Sequence, residues 1–297
     1  MTSEWRDHNL NSLRKVEHMW INVLLGIGIG YVALLLIFYF LQDLFFFRPE
    51  KLPMHFRYQY QFPFDEVNFE MEDGGSINGL HFKVPNSKGV VFYFKGNSRS
   101  SKGWGKFARD FVSKGYDFFM IDYRGFGKSR GRRTESILYN DAQHVYKWLL
   151  RQYDEDKIIA YGRSLGSGIA ARIASWNNPR ILILDSPYYS FARQIQRYGW
   201  FLPIRWLLKY QIRTDQFIKK VSCPIFIIHG RKDRLISFKH SEMLLQRVPK
   251  KIRIFPIDEG GHNNLPSFPE YHEILYDILY DDALYRQMVQ QIGALRA

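Results

Sequence analysis

The chain is organised around Lys157-Ile158-Ile159-Ala160-Tyr161-Gly162-Arg163-Ser164-Leu165-Gly166-Ser167-Gly168-Ile169-Ala170. A short apolar run ends abruptly in Gly162-x-Ser164-x-Gly166, and Ile169, Ala170, Ile173 and Ala174 follow at helical spacing. That pattern reads as strand, sharp turn and helix. The turn is too tight for bulky neighbours two residues either side of Ser164, which is where the glycines stand. The serine is thereby held in a strained conformation with its hydroxyl exposed. The helix that begins after it directs free N–H groups at the same spot, and the Leu165 N–H is a candidate oxyanion donor. The competing reading is a plain strand-to-helix turn of a parallel sheet.

Serine is a weak nucleophile without a base, and the base needs an orienting acid. In an open parallel sheet the functional residues collect beyond the carboxyl ends of the strands. After Ile225–Ile228 comes His229-Gly-Arg-Lys-Asp233, and after Ile252–Ile257 comes Asp258-Glu-Gly-Gly-His262-Asn263. These loops supply an acid and a base in the order Ser, Asp, His. Asp185, after the preceding strand, competes with Asp233 as the acid. His229, beside Gly230, reads as a structural histidine, and Asn263 as either a positioning or a turn residue.

In 297 residues, 46% of them hydrophobic, there is room for one large α/β domain and an appendage. The single Cys223 excludes an internal disulfide and a cysteine-rich metal site. No metal or cofactor is expected. The formal net charge of +13 suits an anionic partner, but no nucleic-acid-binding signature accompanies it. An uncharged run from Trp20 to Leu41 points to a membrane instead, since it matches the roughly 20 residues that a spanning helix needs. It exceeds the apolar core of a signal peptide and lacks a small-residue cleavage site, which favours an uncleaved anchor. Arg6, Arg14 and Lys15 before it balance Arg48, Lys51 and Arg57 after it, so the orientation is open. Gly26-x-x-x-Gly30 offers a helix-packing face, although ordinary glycine enrichment in membrane helices explains it as well.

The expected organisation is a polar tail over 1–18, an anchor over 19–47, a juxtamembrane linker over 48–64 and a folded domain over 65–297. The domain opens with an antiparallel hairpin around Glu72-Asp-Gly-Gly75. Strands at 90–94, 117–122, 158–161, 180–185, 224–229 and 251–257 then alternate with helices, of which 134–153 has Thr134 as its N-cap. The expected fold is α/β, a mostly parallel sheet with helices on both faces. Residues 186–221 interrupt the alternation.

Over about 65–290 the chain resembles the α/β-hydrolase superfamily. It looks most like the membrane-anchored branch similar to serine aminopeptidases, lysophospholipases and monoacylglycerol lipases. The residues that carry the resemblance are Tyr161-Gly-Arg-Ser-Leu-Gly166, Asp122-Tyr-Arg-Gly-Phe-Gly-Lys-Ser129, His229-Gly-Arg-Lys-Asp233 and Gly260-Gly-His262. The resemblance implies that Ser164 is the nucleophile, His262 the base and then the acid, and Asp233 the orienting carboxylate. It also implies Asn97 as the second oxyanion donor, through its backbone N–H. The family's usual histidine before that loop is replaced by Lys95, read as a scaffold lysine or a contact for an anionic substrate group. The 186–221 insertion stands where the superfamily places a small helical cap. Tyr188, Trp200 and Trp206 either roof an apolar pocket or only seat the cap on the sheet.

Gly125-Phe-Gly-Lys-Ser129 is not a phosphate-binding loop, because Asp122 occupies the place of its first glycine. The cationic run Arg130, Arg132 and Arg133 reads as a solvated face or a contact for lipid phosphates. The expected function is a single-pass membrane serine hydrolase acting on an ester, thioester or amide of a lipid or acylated substrate. A peptidase of serine-aminopeptidase type is the alternative within enzymes, and a non-catalytic interaction module on the same fold is the alternative outside them.

Overall fold

A computed structural model describes residues 3–294; Met1 and Thr2 of the tail and the last three residues of the domain lie outside the described residues. The chain begins with one helix, α1 (Ser3–Phe46), so the polar tail continues into the apolar run without a break. Leu24, Leu25, Ile27, Ile29, Val32 and Phe40 are exposed along it. At ~1.5 Å per residue the apolar stretch is long enough to cross a bilayer. The helix is a candidate membrane anchor, by length and composition.

The domain follows as β1 (Phe64–Glu70), β2 (Ser76–Phe82), β3 (Val90–Phe94), two short helices α2 (Ser101–Trp104) and α3 (Arg109–Val112), and β4 (Asp117–Ile121). Then come α4 (Glu135–Leu149), β5 (Ile158–Arg163), α5 (Leu165–Trp176) and β6 (Ile181–Asp185). The insertion holds α6 (Phe191–Gln196), α7 (Ile204–Leu207) and α8 (Thr214–Lys220). The chain closes with β7 (Ile225–Gly230), α9 (Lys239–Arg247), β8 (Ile252–Ile257), α10 (Pro269–Tyr280) and α11 (Asp282–Gly293). The chain ends in two helices rather than one, because the Asp281 carboxylate caps a new helix by accepting from the Ala283 and Leu284 N–H groups. Thr134 caps α4 as expected, accepting from the Ile137 N–H.

The strands form one sheet in the order β1-β2-β4-β3-β5-β6-β7-β8. The first two pairings are antiparallel and the rest parallel. Both faces of the inner strands β3 to β7 are buried, so those strands are largely apolar and alternate residues serve different layers. Val90, Phe92, Phe94, Ile158 and Ala160 pack with Leu138, Val145 and Ile169 beneath α4 and α5. Val91, Tyr93, Ile159 and Tyr161 pack with Leu275, Ile278 and Met288 beneath α10 and α11. The register sets Phe94 beside Gly162, and Arg163 beside Asp185, so the strand ends that carry the functional loops line up along one edge.

Residues 48–64 differ from expectation. They are not a linker but part of the domain: Leu52 and Tyr58 are buried, as are Phe46 and Phe47 just before them. Arg48 pairs with the loop after β3, its N–H donating to the Asn97 carbonyl at 3.1 Å and its carbonyl accepting from the Arg99 N–H at 3.1 Å. Leu52 N–H donates to the Gly127 carbonyl and Gly127 N–H to the Glu50 carbonyl, which ties the same segment to the turn after β4. The cationic run is also largely structural. Arg130 donates to the Leu52 carbonyl, and the Arg133 guanidinium lies 3.9 Å from the centre of the Phe47 ring.

Lys95 is fully buried against Asp122, with Nζ 3.5 Å from Oδ1, 3.3 Å from the Arg99 carbonyl and 3.7 Å from the centre of the Phe126 ring. Asp122 in turn accepts from the Ser101 N–H at 2.9 Å. Burial pulls the Lys95 ammonium down to about 8, against the Asp122 charge that supports it. The pair is therefore a scaffold for the loop between β3 and α2, and Lys95 does not reach a substrate.

Two stability measurements test this packing. Phe47→Ala is expected to cost about 3–5 kcal/mol in chemical denaturation, against within about 0.5 kcal/mol for the exposed Phe45→Ala. Lys95→Met leaves the Asp122 charge buried without its cation and is expected to cost about 3–5 kcal/mol. The double variant Lys95→Met/Asp122→Asn should lose clearly less than the sum of its two single changes; additive losses would show that the pair is not coupled.

Candidate active site

Ser164 joins β5 to α5 at φ 52° and ψ −118°, a left-handed conformation that is costly for a residue with a side chain. The surroundings hold it there. Its N–H donates to the Asp185 carbonyl at 2.9 Å, and its own carbonyl accepts from the Ser167 N–H and hydroxyl. The flanking glycines are required by close approach. A methyl group on Gly166 would stand 2.0 Å from the Phe94 carbonyl oxygen, and one on Gly162 would stand 2.4 Å from the Gly166 carbonyl oxygen.

The Ser164 Oγ lies 3.0 Å from His262 Nε2, and His262 Nδ1 lies 2.7 Å from Asp233 Oδ2. Asp233 can only accept at neutral pH, so Nδ1 carries the proton and Nε2 is free to accept from the serine hydroxyl. The second Asp233 oxygen accepts from the Leu235 and Ile236 N–H groups at 2.9 and 2.8 Å. Burial alone would raise the Asp233 carboxyl. The hydrogen bonds from His229 and His262 outweigh burial and hold it well below the usual carboxylate range. The Arg163 guanidinium donates to the His262 carbonyl at 3.3 Å, and the Asn264 side chain accepts from the Gly261 N–H, which together shape the histidine loop.

Asp185 does not compete for this position. It is buried, accepts from the Tyr161 hydroxyl at 2.9 Å and lies 3.6 Å from Arg163 Nε. His229 is structural but closer to the site than the sequence indicates. Its Nε2 donates to the Ile236 carbonyl at 2.9 Å and stands 3.2 Å from Asp233 Oδ2, while Nδ1 accepts from the Ser241 hydroxyl. It braces the same carboxylate oxygen that His262 meets. Nothing in the sequence signalled this, because both loops look alike as Gly-flanked turns.

Leu165 is the first residue of α5, so its N–H has no partner within the helix. Across from it, a methyl group on Gly96 would stand 3.7 Å from the Ser164 Cβ, which puts the Gly96-Asn97 backbone beside the serine. The Asn97 side chain is engaged elsewhere, donating to the Phe46 carbonyl at 2.5 Å, so its backbone N–H is what it can offer to a ligand.

These groups open into a cavity of about 370 Å³. Its lining combines the polar Ser164, His262 and Asn97 with the apolar Phe45, Phe46, Phe191, Ile195 and Leu235. Tyr188 lines it, but its hydroxyl donates to the Leu165 carbonyl and the ring is otherwise buried. The expected roof of tryptophans is a correction. Trp200 is 80% and Trp206 88% exposed on the outside of the cap, and neither lines the cavity. The phenylalanines from the end of α1 take their place. A sequence pattern could not show this, because they stand more than 100 residues before the serine.

The family described as serine aminopeptidase, S33, matches residues 85–214. The uncharacterized protein Rv2307c of Mycobacterium tuberculosis is 31% identical over 206 residues, covering 67% of this chain and 72% of that protein. The uncharacterized protein YfhR of Escherichia coli is 26% identical over 229 residues, covering 71% of this chain and 77% of that one. Among solved structures, the Pyrococcus furiosus esterase Pf2001 is similar with a TM-score of 0.63 at 21% identity, covering 79% of this chain and 97% of that one. The sheet order, the strand-turn-helix at Ser164 and these relatives agree: the chain belongs to the α/β-hydrolase superfamily.

Proposed function

We propose that this hydrolase is a membrane-anchored serine hydrolase that cleaves an ester, thioester or amide bond of a lipid or acylated substrate. The observation that carries the reading is His262, which bridges Ser164 Oγ at 3.0 Å and Asp233 Oδ2 at 2.7 Å. His262 Nε2 takes the hydroxyl proton as Ser164 Oγ attacks the carbonyl carbon. The Leu165 and Asn97 N–H groups hold the oxyanion that forms, and Asp233 stabilises the imidazolium. His262 then gives the proton to the leaving alcohol, thiol or amine as the acyl-enzyme forms. Water follows in reverse: its proton goes to His262, its oxygen to the acyl carbon, and Ser164 regains its hydrogen. Residues 97, 164, 165, 233 and 262 supply every group this sequence needs.

The substrate class rests on the surroundings of that site. The anchor and the cap are pinned together, with Tyr31 donating to the Phe201 carbonyl at 2.9 Å and Gln42 bridging the Leu207 carbonyl and the Lys209 N–H at 3.1 and 2.8 Å. The apolar residues of the cavity come largely from the end of α1 and from α6, so an acyl chain bound beside Ser164 would meet the end of the anchor helix. The charged residues that line the cavity, apart from His262, are Arg48 and Arg163. These suit an acyl carbonyl better than the free amine that an aminopeptidase must hold, which keeps the peptidase as the second reading.

Two kinds of measurement test the proposal on the full chain in non-ionic detergent. Wild-type protein is expected to react with a fluorophosphonate probe and to hydrolyse p-nitrophenyl butyrate, with both lost in Ser164→Ala. A folded wild type that resists the probe would leave the non-catalytic interaction module as the better account. In Asp233→Asn the kcat is expected to fall roughly 10³–10⁴-fold with little change in KM, because the histidine loses its correct tautomer and its counter-charge.

A further inference from the structure

A larger cavity than the one at Ser164 lies on the other side of the cap. It has a volume of about 820 Å³ and runs between α6, α7 and α9. Its walls carry Arg193, Arg197, Arg205, Arg213, Lys239 and Arg247 against a single carboxylate, Asp215. That carboxylate is already occupied, since Arg213 Nε and Nη2 donate to its two oxygens at 2.8 Å each. Among the described residues, none of the other five cations has a carboxylate at ion-pair distance. By contrast, Arg124, Lys128, Arg180, Arg231 and Lys232 of the same domain each meet an acid. Five unpaired cations around one cavity repel one another, and a bound anion removes that repulsion. His240 at the cavity wall adds no charge. Burial, then the neighbouring Arg193, holds its imidazole down to about 4, and its Nδ1 accepts from the Tyr189 N–H at 2.9 Å.

The position of the cavity names the source of the anion. Arg205 stands on α7, whose last residue, Leu207, is tied to α1 through Gln42. Trp206, beside Arg205, is 88% exposed. Trp200 and Phe201 are exposed on the loop that Tyr31 of α1 holds. Outward-facing tryptophans next to unpaired arginines, joined to an apolar helix, make the composition of a membrane interface, with rings at the acyl boundary and cations among the headgroups.

We propose that this cavity binds the phosphate headgroup of an anionic phospholipid from the bilayer that holds α1, while Trp200 and Trp206 enter the acyl boundary. The site is separate from Ser164 and rests on the membrane placement of α1, not on the hydrolytic chemistry. A phosphodiester oxygen pair matches guanidinium donors, and arginine supplies four of the five free cations.

Native mass spectrometry of the full chain tests it. The protein is held in non-ionic micelles doped with equimolar phosphatidylglycerol and phosphatidylcholine of the same acyl chains, so both lipids partition alike. One phosphatidylglycerol adduct is expected to exceed the phosphatidylcholine adduct about tenfold, a preference of roughly 1.4 kcal/mol. Arg193→Gln/Arg197→Gln/Arg205→Gln should bring the ratio to about one. Arg205→Gln/Arg247→Gln, from facing walls, should lower it as well, with thermal melts showing that both variants are folded. Equal adducts in wild type, or a preference that survives in both folded variants, overturns the proposal. A second arm adds inorganic phosphate at millimolar concentration. If that displaces the lipid fully, the cavity is a site for a free phosphate anion and the lipid assignment fails. Ser164→Ala should keep the preference. A wild type that ignores the fluorophosphonate yet keeps the lipid preference would sink the hydrolytic reading and leave this one standing.

Discussion

The structure depends on how closely the turn at Ser164 is packed against the end of β3. There is no space for a side chain at Gly166, because the Phe94 carbonyl occupies it, and none at Gly162, because the turn folds back over it. That contact forces Ser164 into its left-handed conformation. It also brings the Gly96-Asn97 backbone beside the serine. The proposed nucleophile and the proposed second oxyanion donor are therefore not two independently placed features. They are the two sides of one contact between neighbouring parallel strands, β3 and β5.

The loop that follows β3 needs support of its own, and the chain provides it from two directions. From below, Lys95 and Asp122 form a buried ion pair whose members also hold the Arg99 carbonyl and the Ser101 N–H. From the side, Arg48 pairs with residues 97 and 99, and the Asn97 side chain holds the Phe46 carbonyl. A buried ion pair is an expensive way to stabilise a fold, since desolvation can offset the attraction. Its value here is positional: it fixes the loop whose Gly96-Asn97 backbone lies beside the serine. The same logic applies on the acid side, where His229 and two backbone N–H groups immobilise Asp233 before His262 meets it.

Much of this was legible in the sequence where the signal was local. The apolar runs marked the strands, and the Gly-x-Ser-x-Gly stretch marked the turn. The loops after β7 and β8 offered Asp233 and His262, and the structure brings both to Ser164. Tertiary relations were not legible. Residues 48–64 carry three prolines and scattered charges, which look like a linker, yet Leu52 and Tyr58 are core residues. Trp200 and Trp206 have the composition of a pocket roof, and hydrophobicity alone cannot tell a ring that faces a substrate from one that faces outward. Phe45 and Phe46 fall within the expected anchor over 19–47, and no periodicity reports that the end of one helix will complete a cavity formed by loops far along the chain.

That last point changes what α1 is. A passive tether could be cut without consequence for the domain, but the end of this helix is buried in the core at Phe46 and Phe47, leads into the pairing with the loop after β3 and lines the cavity. Higher up, Tyr31 and Gln42 hold the cap. One helix thus touches both the floor and the roof of the site. A displacement of the helix relative to the domain must pull on Asn97 and on the cap at once, because both are hydrogen-bonded to it. The geometry of the site and the attitude of the domain relative to the helix are for that reason one mechanical quantity. The cap carries its own share of the basic character of the chain: Arg193, Arg197 and Arg205 gather around one cavity, and the cap is joined to the helix through Gln42.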